Sequence, residues 1–193
     1  MSASGRVVVV RHGETEWSLS GRHTSRTDLP LTDEGRRRAE GLASALSEWS
    51  FTLVLSSPLR RARETCEIAG FGQRAEIDQN LREWEYGQYE GLTTPEIRAE
   101  DPAWNLWRDG CPGGEQPSEV AARADRVLMR AGDAGGDTLA FAHGHILRVL
   151  AARWVSQEAA FGGRLALGAG AISVLGHERE TPVIERWNRT PDG

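Results

Sequence analysis

The chain has 193 residues, 39% hydrophobic and 26% charged, with 23 basic residues, all arginine, against 28 acidic ones and a formal charge of −5. These values fall in the globular range, and no apolar run approaches the ~18 residues that cross a bilayer. The absence of lysine excludes Schiff-base chemistry, pyridoxal phosphate attachment and a P-loop, and the mild acidity argues against a nucleic-acid partner.

In chain order, Val7–Val10 is a continuous β-branched run and predicts a central strand covered on both faces. Thr32 is placed to cap a helix with Asp33 and Glu34 in its first turn, and Ala39, Leu42, Ala43, Leu46 and Trp49 recur at helical spacing as its buried stripe. Thr52–Leu55 reads as a second strand, followed by Ser57 as N-cap and Pro58 at the first position of a helix. The stretch from about Tyr86 to Gln116 is irregular and is expected to form loops and short helices over one end of a sheet. Pro117 and Ser118 open a helix marked by Val120, Ala124, Val127, Leu128 and Ala131. Thr138–Ala142 is a third strand, Ile146 to Trp154 a helix, and two late strands are expected around 171–175 and 183–187. No repeat or linker divides the chain. Strands alternating with helices predict an α/β fold with a largely parallel sheet, as one domain over residues 1–193.

Three strands end in reactive side chains: Arg11-His12-Gly13 after the first, Ser57-Pro58-Leu59-Arg60-Arg61 after the second, His143-Gly144-His145 after the third. In open α/β sheets a ligand site lies beyond the carboxyl ends of the strands. If these strands are neighbours, Arg11, His12, Arg61 and His143 converge. Two unit charges ~4 Å apart repel by about 4 kcal/mol at an effective dielectric near 20, so such a cluster needs an anion. Arginine beside a helix N-terminus suits a phosphoryl group. Arg60 is expected to face solvent or pair with Glu64 one turn on.

Together with Leu81-Arg82-Glu83-Trp84-Glu85-Tyr86-Gly87, these segments resemble the histidine phosphatase superfamily, also called phosphoglycerate mutase-like, over nearly the whole chain and in family order. The resemblance implies a single three-layer domain with helices on both faces of the sheet. It implies that His12 is the nucleophile, that Arg11, Arg61 and His143 surround the transferred group, and that Glu83 is the proton donor to the leaving oxygen. Thr24, Ser25 and the Gly144 backbone are expected to line the pocket, with His23, Ser18, Tyr86 and His145 as further substrate-binding candidates. Phosphoryl transfer depends mainly on positioning and charge stabilisation, which two guanidinium groups and a protonated His143 can supply without a metal or other cofactor. A glutamate with a raised pKa can carry the leaving-group proton.

Other readings are weaker. His143 and His145 could form an HxH metal pair, but no Asp or Cys ligand sits at useful spacing and Arg148 would repel a cation. Trp104 and Trp107 read as core residues, Cys66 as a small buried hydrophobe. Cys66 and Cys111 give no disulfide framework, and Met1–Gly5 carries no secretory pattern, so the expectation is a cytoplasmic protein with no membrane partner. No oligomeric state follows.

A mutase must keep water from a phosphohistidine. Thr190–Gly193 follow soon after the last predicted strand, so little tail is expected to close the site. Ser18 stands where the family pattern has asparagine. The run from Trp17 to Thr32, with Cys111-Pro112-Gly113-Gly114-Glu115 and Phe141–His145, resembles the branch containing broad acid phosphatases and sedoheptulose bisphosphatase. The reading is a metal-independent phosphomonoesterase acting on small phosphorylated metabolites, with sugar phosphates as the expected class. The alternatives are a cofactor-dependent phosphoglycerate mutase and a non-catalytic binder of a phosphorylated ligand.

Overall fold

The described residues, 5–190 of a computed structural model, form a six-stranded sheet in the order β3-β2-β4-β1-β5-β6. The elements are β1 (Val7–Arg11), α1 (Glu16–Ser20), α2 (Asp33–Leu46), β2 (Leu53–Ser56), α3 (Arg60–Ile68), β3 (Glu76–Ile77), α4 (Thr94–Glu100), α5 (Leu106–Asp109), α6 (Pro117–Asp133), β4 (Thr138–Ala142), α7 (Gly144–Trp154), β5 (Ile172–Glu178) and β6 (Thr181–Arg189). Short 3-10 turns occupy Gln79–Leu81, Gly87–Tyr89 and Ala159–Arg164. Met1–Ser4 and Pro191–Gly193, on which the readings of the N-terminus and of a short tail fall, lie outside the described residues.

Alternation along the strands sorts their side chains to two faces. Val8, Val10, Val54, Leu139 and Phe141 pack with Ala39, Leu42 and Leu46 of α2 and Cys66 of α3. Val7, Val9, Leu55, Ala140 and Ala142 pack with Val120, Ala124 and Val127 of α6 and Ile146, Leu147 and Leu150 of α7. Three layers result, with β1 covered on both faces as its unbroken valine run predicts. The four strands β3, β2, β4 and β1 are parallel, while β5 and β6 complete the sheet antiparallel.

Register places the site. Val7 of β1 and Leu53 of β2 both pair with Thr138 of β4, and the ladders run on to Arg11↔Ala142 and Ser56↔Phe141. The His12 amide then bonds the Ala142 carbonyl at 2.9 Å and the Ser57 amide bonds the Phe141 carbonyl at 2.9 Å. Thus His12, Ser57 and His143 emerge side by side from three neighbouring strands.

Four details differ from the sequence reading. Ala43 is exposed, at the edge of the α2 stripe, and Trp49 lies beyond the helix end, half-buried and stacked on Phe51. Helix α3 begins at Arg60, not Pro58, with Leu59 at its N-cap and no side-chain cap. The Ser57 hydroxyl, expected as that cap, is bonded to His143. Strand β3 was not anticipated, because two exposed residues carry no burial pattern.

The segment after β1 is held against α2 by two glycines in close backbone contact. A Cβ on Gly35 would lie 2.3 Å from the Glu14 carbonyl oxygen, and one on Gly13 would lie 2.5 Å from that of Gly35. Backbone cannot yield as a flexible side chain can, so Gly35→Ala must push α2 away from the turn that carries His12. Overpacking of this kind costs about 1–3 kcal/mol. The expected outcome is a Tm lower by roughly 3–10 °C together with a fall in turnover, measured by thermal unfolding and steady-state kinetics.

Candidate active site

Beyond the carboxyl ends of β1, β2 and β4 lies a cleft of about 230 Å³, lined by Arg11, His12, Ser18, His23, Thr24, Glu83, Tyr86, Gly144 and His145 among others. Glu83 is the one acidic residue on its walls, against Arg11, Arg22 and Arg148. Arg61 and His143 lie directly behind, at 1% and 0% exposure. The imidazole rings of His12 and His143 are 5.1 Å apart.

His12 is fixed by its own neighbour. Its Nδ1 lies 2.7 Å from the Gly13 carbonyl, which only accepts, so Nδ1 carries the proton. Burial, then Arg61 and Arg11, hold the pKa well below the ordinary 6.5. The ring is therefore neutral, with the Nε2 lone pair free. That is the state a nucleophilic imidazole requires.

Arg61 donates from Nε to His143 Nδ1 at 3.1 Å, and from its terminal nitrogens to the Thr27 and Thr24 carbonyls at 3.1 and 3.0 Å. A guanidinium cannot accept, so His143 keeps its proton on Nε2, which donates to Ser57 Oγ at 2.7 Å. Burial, then Arg61 and His12, lower the His143 pKa well below its usual value. The expected protonated His143 is thus corrected: without an anion beside it, the ring is neutral. Arg11 donates from Nη1 to the Leu167 carbonyl at 2.5 Å, while its buried Nε has no partner. Buried donors are normally satisfied, and an anionic oxygen in the cleft would satisfy this one.

Glu83 is clamped at the opening of α7. Its Oε1 accepts from the Trp84 and Ile146 amides at 2.9 Å each, and its Oε2 accepts from the His145 amide at 3.0 Å. Burial pushes the pKa up, but hydrogen bonding from His145 and the field of that ring outweigh it, leaving Glu83 well below the carboxylate range. The expected raised pKa is therefore corrected: Glu83 is ionised in the free protein. The loop bearing it is braced by Arg123 of α6, which donates to the Asn80 and Arg82 carbonyls at 2.6 and 2.8 Å and pairs with Glu115.

The remaining candidates divide. Gly144 brings α7 close, since a Cβ there would sit 3.4 Å from Arg11 Nε. Tyr86 Oη is hydrogen-bonded to His145 Nδ1 at 2.6 Å, and burial keeps the phenol protonated. His23 lines the cleft with Nδ1 donating to the Leu92 carbonyl at 2.9 Å and its ring 4.7 Å from Tyr86. Thr24 lines it too, its hydroxyl donating to the Arg22 carbonyl. Ser18 reaches the cleft, but its hydroxyl is engaged by Thr15 in the cap of α1. Ser25 is displaced from its expected place: it faces a neighbouring cavity, its hydroxyl bound to Glu90 at 2.5 Å. His143 bonds Ser57, and His145 meets Tyr86. Arg60 is exposed and 4.0 Å from Glu64, as read. Cys66 and Cys111 are buried thiols, and burial pushes both up to about 12.

Sequence reasoning missed Ser57 as a partner of His143, and Arg22, Thr94 and Leu167 as cleft walls. Arg22 and Leu167 come from loops and Thr94 from the opening of α4, and no periodicity encodes their approach to the cleft. Arg148 had a signal: it follows Gly144 by four residues on one helix, hence on the same face.

A family model described as the histidine phosphatase superfamily (branch 1) matches residues 7–190. An acid phosphatase of Mycobacterium tuberculosis is 42% identical over 177 residues, covering 90% of this chain and 87% of that one. A sedoheptulose 1,7-bisphosphatase of Saccharomyces cerevisiae is 38% identical over 185 residues, covering 79% and 68%. A solved structure of an open-reading-frame product from Mycobacterium tuberculosis superposes with a TM-score of 0.93 at 39% identity, covering 97% of this chain and 98% of that one.

The cluster of guanidinium and imidazole groups facing one carboxylate should bind a tetrahedral anion without any organic group. Inorganic phosphate at a hundred times its Kd stabilises the fold by ≈ 2.7 kcal/mol, a rise in Tm of roughly 5–10 °C. Arg11→Gln should lose most of that rise. A thermal scan showing no rise with phosphate would sink the anion site.

Proposed function

The chain belongs to the histidine phosphatase superfamily, and from that membership we propose that it hydrolyses phosphate monoesters through a phosphohistidine on His12, without a metal ion, in one catalytic domain. The observation that carries this reading is the neutral His12, its Nε2 free, held between two arginines.

The phosphoryl group enters beside Arg11 and Arg61, its oxygens meeting the unpartnered Arg11 Nε and the N-terminal end of α7. His12 Nε2 attacks phosphorus as the bond to the ester oxygen breaks. The leaving alkoxide takes a proton from Glu83. Water then attacks phosphorus, gives its proton to Glu83, and the P–N bond breaks to return His12 and release phosphate. His143 is placed to gain a proton, or share Arg61's field, only as negative charge builds beside it.

Glu83 must therefore acquire its proton as the substrate binds. The ester arrives as the monoanion and hands its proton over, or the arriving negative charge raises the Glu83 pKa. Either route links activity to acid conditions. The similarity to an acid phosphatase and to a sedoheptulose 1,7-bisphosphatase supports small phosphorylated sugars as the substrate class, as does the modest volume of the cleft. The buried thiols of Cys66 and Cys111 support a reducing compartment, the cytoplasm.

Turnover of p-nitrophenyl phosphate should persist in EDTA, and acid-labile, base-stable 32P should be trapped at steady state and be lost in His12→Ala. Turnover without a trapped phosphoramidate would overturn the mechanism. Glu83→Gln should lower kcat on an alkyl phosphate by about 10²–10⁴-fold and on p-nitrophenyl phosphate much less, because nitrophenolate barely needs a proton. Since His12 stays neutral well below pH 6.5, kcat/KM for an alkyl phosphate should hold on the acid side and fall above about pH 6, where the ester loses its second proton. A pH–rate profile with its optimum above neutrality would count against proton delivery by Glu83.

A further inference from the structure

One buried cation has no part in the chemistry above. Arg123 stands on the buried face of α6 with Val120, Ala124 and Val127, at 7% exposure, in a stripe that is otherwise apolar. Its Nε and Nη2 donate to the two carboxylate oxygens of Glu115 at 2.7 and 2.8 Å. Its Nη1 donates to the Asn80 and Arg82 carbonyls at 2.6 and 2.8 Å, and Nη2 also reaches the carbonyl of Glu83 itself, at 3.4 Å.

Glu115 grips the same segment further on. Its Oε2 accepts from the Glu85 amide at 2.9 Å, its backbone carbonyl accepts from the Trp84 indole at 3.0 Å, and its amide donates to the Glu85 carbonyl at 2.9 Å. Between the 3-10 turns that end at Leu81 and begin at Gly87, the chain belongs to no helix or strand. These bonds therefore do for Glu83 what the strand ladders do for His12. The Glu83 carboxylate meets the amides of Trp84, His145 and Ile146 while its carbonyl meets Arg123. One of those amides belongs to the next residue, so the place of the carboxylate follows the backbone torsion at Glu83. A buried arginine–carboxylate pair adds little net stability once desolvation is counted. What its planar fork supplies is a fixed geometry.

We propose that Arg123, tied to Glu115, is a positioning residue for the proton donor: by holding the carbonyls of residues 80, 82 and 83 it sets where the Glu83 carboxylate stands relative to the leaving oxygen. The step it serves is transfer of the Glu83 proton to the ester oxygen as the bond from that oxygen to phosphorus breaks. Arg123 does not line the catalytic cleft but a neighbouring cavity of about 370 Å³, shared with Ser25, Glu85 and Glu115. It acts on the reaction through Glu83. The inference rests on the phosphomonoesterase reading and adds to it a residue remote from the substrate.

The test compares kcat/KM on glycerol 3-phosphate and on p-nitrophenyl phosphate. That constant reads the steps up to loss of the alcohol, and only the first ester needs a proton to leave. Misplacing a reacting group by about 1 Å costs on the order of 10²-fold, and Arg123→Ala should lose about that much on glycerol 3-phosphate and far less on p-nitrophenyl phosphate. The ratio of the two constants should thus fall tenfold or more, and Arg123→Lys should restore part of it. A merely structural arginine would lower Tm and both constants together. Equal losses on the two esters, or no loss on either, overturn the assignment. If Arg123→Ala fails to fold, Glu115→Gln decides by the same ratio, a selective fall supporting the assignment and an equal fall or none overturning it. An unchanged ratio in Glu83→Gln, or no hydrolysis of either ester by the wild type, would instead remove the reading on which the assignment rests.

Discussion

The positive charge gathered at the ends of three strands governs this molecule. Arg61 is fully buried against His143, Arg11 carries a buried N–H with no partner, and one carboxylate faces them. Two unit charges at contact distance interact by several kcal/mol even in a partly screened interior, so the arrangement resists the fold unless its protons are managed. They are managed by neutralising the imidazoles. His12 donates a hydrogen bond from its Nδ1–H to a carbonyl, and His143 turns its bare Nδ1 toward Arg61 and its proton toward Ser57. The strain of gathering cations thereby becomes the reactivity of a free Nε2.

The same logic explains Glu83. A buried carboxylate in an apolar pocket would be neutral, but three amides, two of them opening α7, keep it charged. Its charge balances the arginines while the cleft is without an anion. In the proposed mechanism, arrival of a phosphoryl group reverses that balance, and the counter-ion becomes the proton carrier.

The scaffold supplies rigidity at low cost because the site is an extension of the sheet. The ladders that pair Arg11 with Ala142 and Ser56 with Phe141 fix the backbone on which His12, Ser57 and His143 stand. Gly13 and Gly35 then allow α2 to approach closely enough to pin the turn after β1. The less regular half of the cleft is braced differently: there Arg148 rests on Trp107 and the turn around Gly162.

Local sequence determined the strand after residue 6, the helices opened by Thr32 and by Pro117, and the reactive residues at three strand ends, because period, β-branching and caps act over a few neighbouring residues. It also determined that those residues needed an anion, since charge is a property of composition. It did not determine the protonation of Glu83 and His143 in the free protein, because a pKa depends on groups as far as 62 and 82 residues away in the chain. Nor did it separate Ser57, a hydrogen-bond partner of His143, from a helix cap, or place Ser25 behind the cleft and Arg148 within it. Those outcomes belong to the folded state, where a hydroxyl or guanidinium is satisfied by whichever group the packing of distant segments brings within about 3 Å.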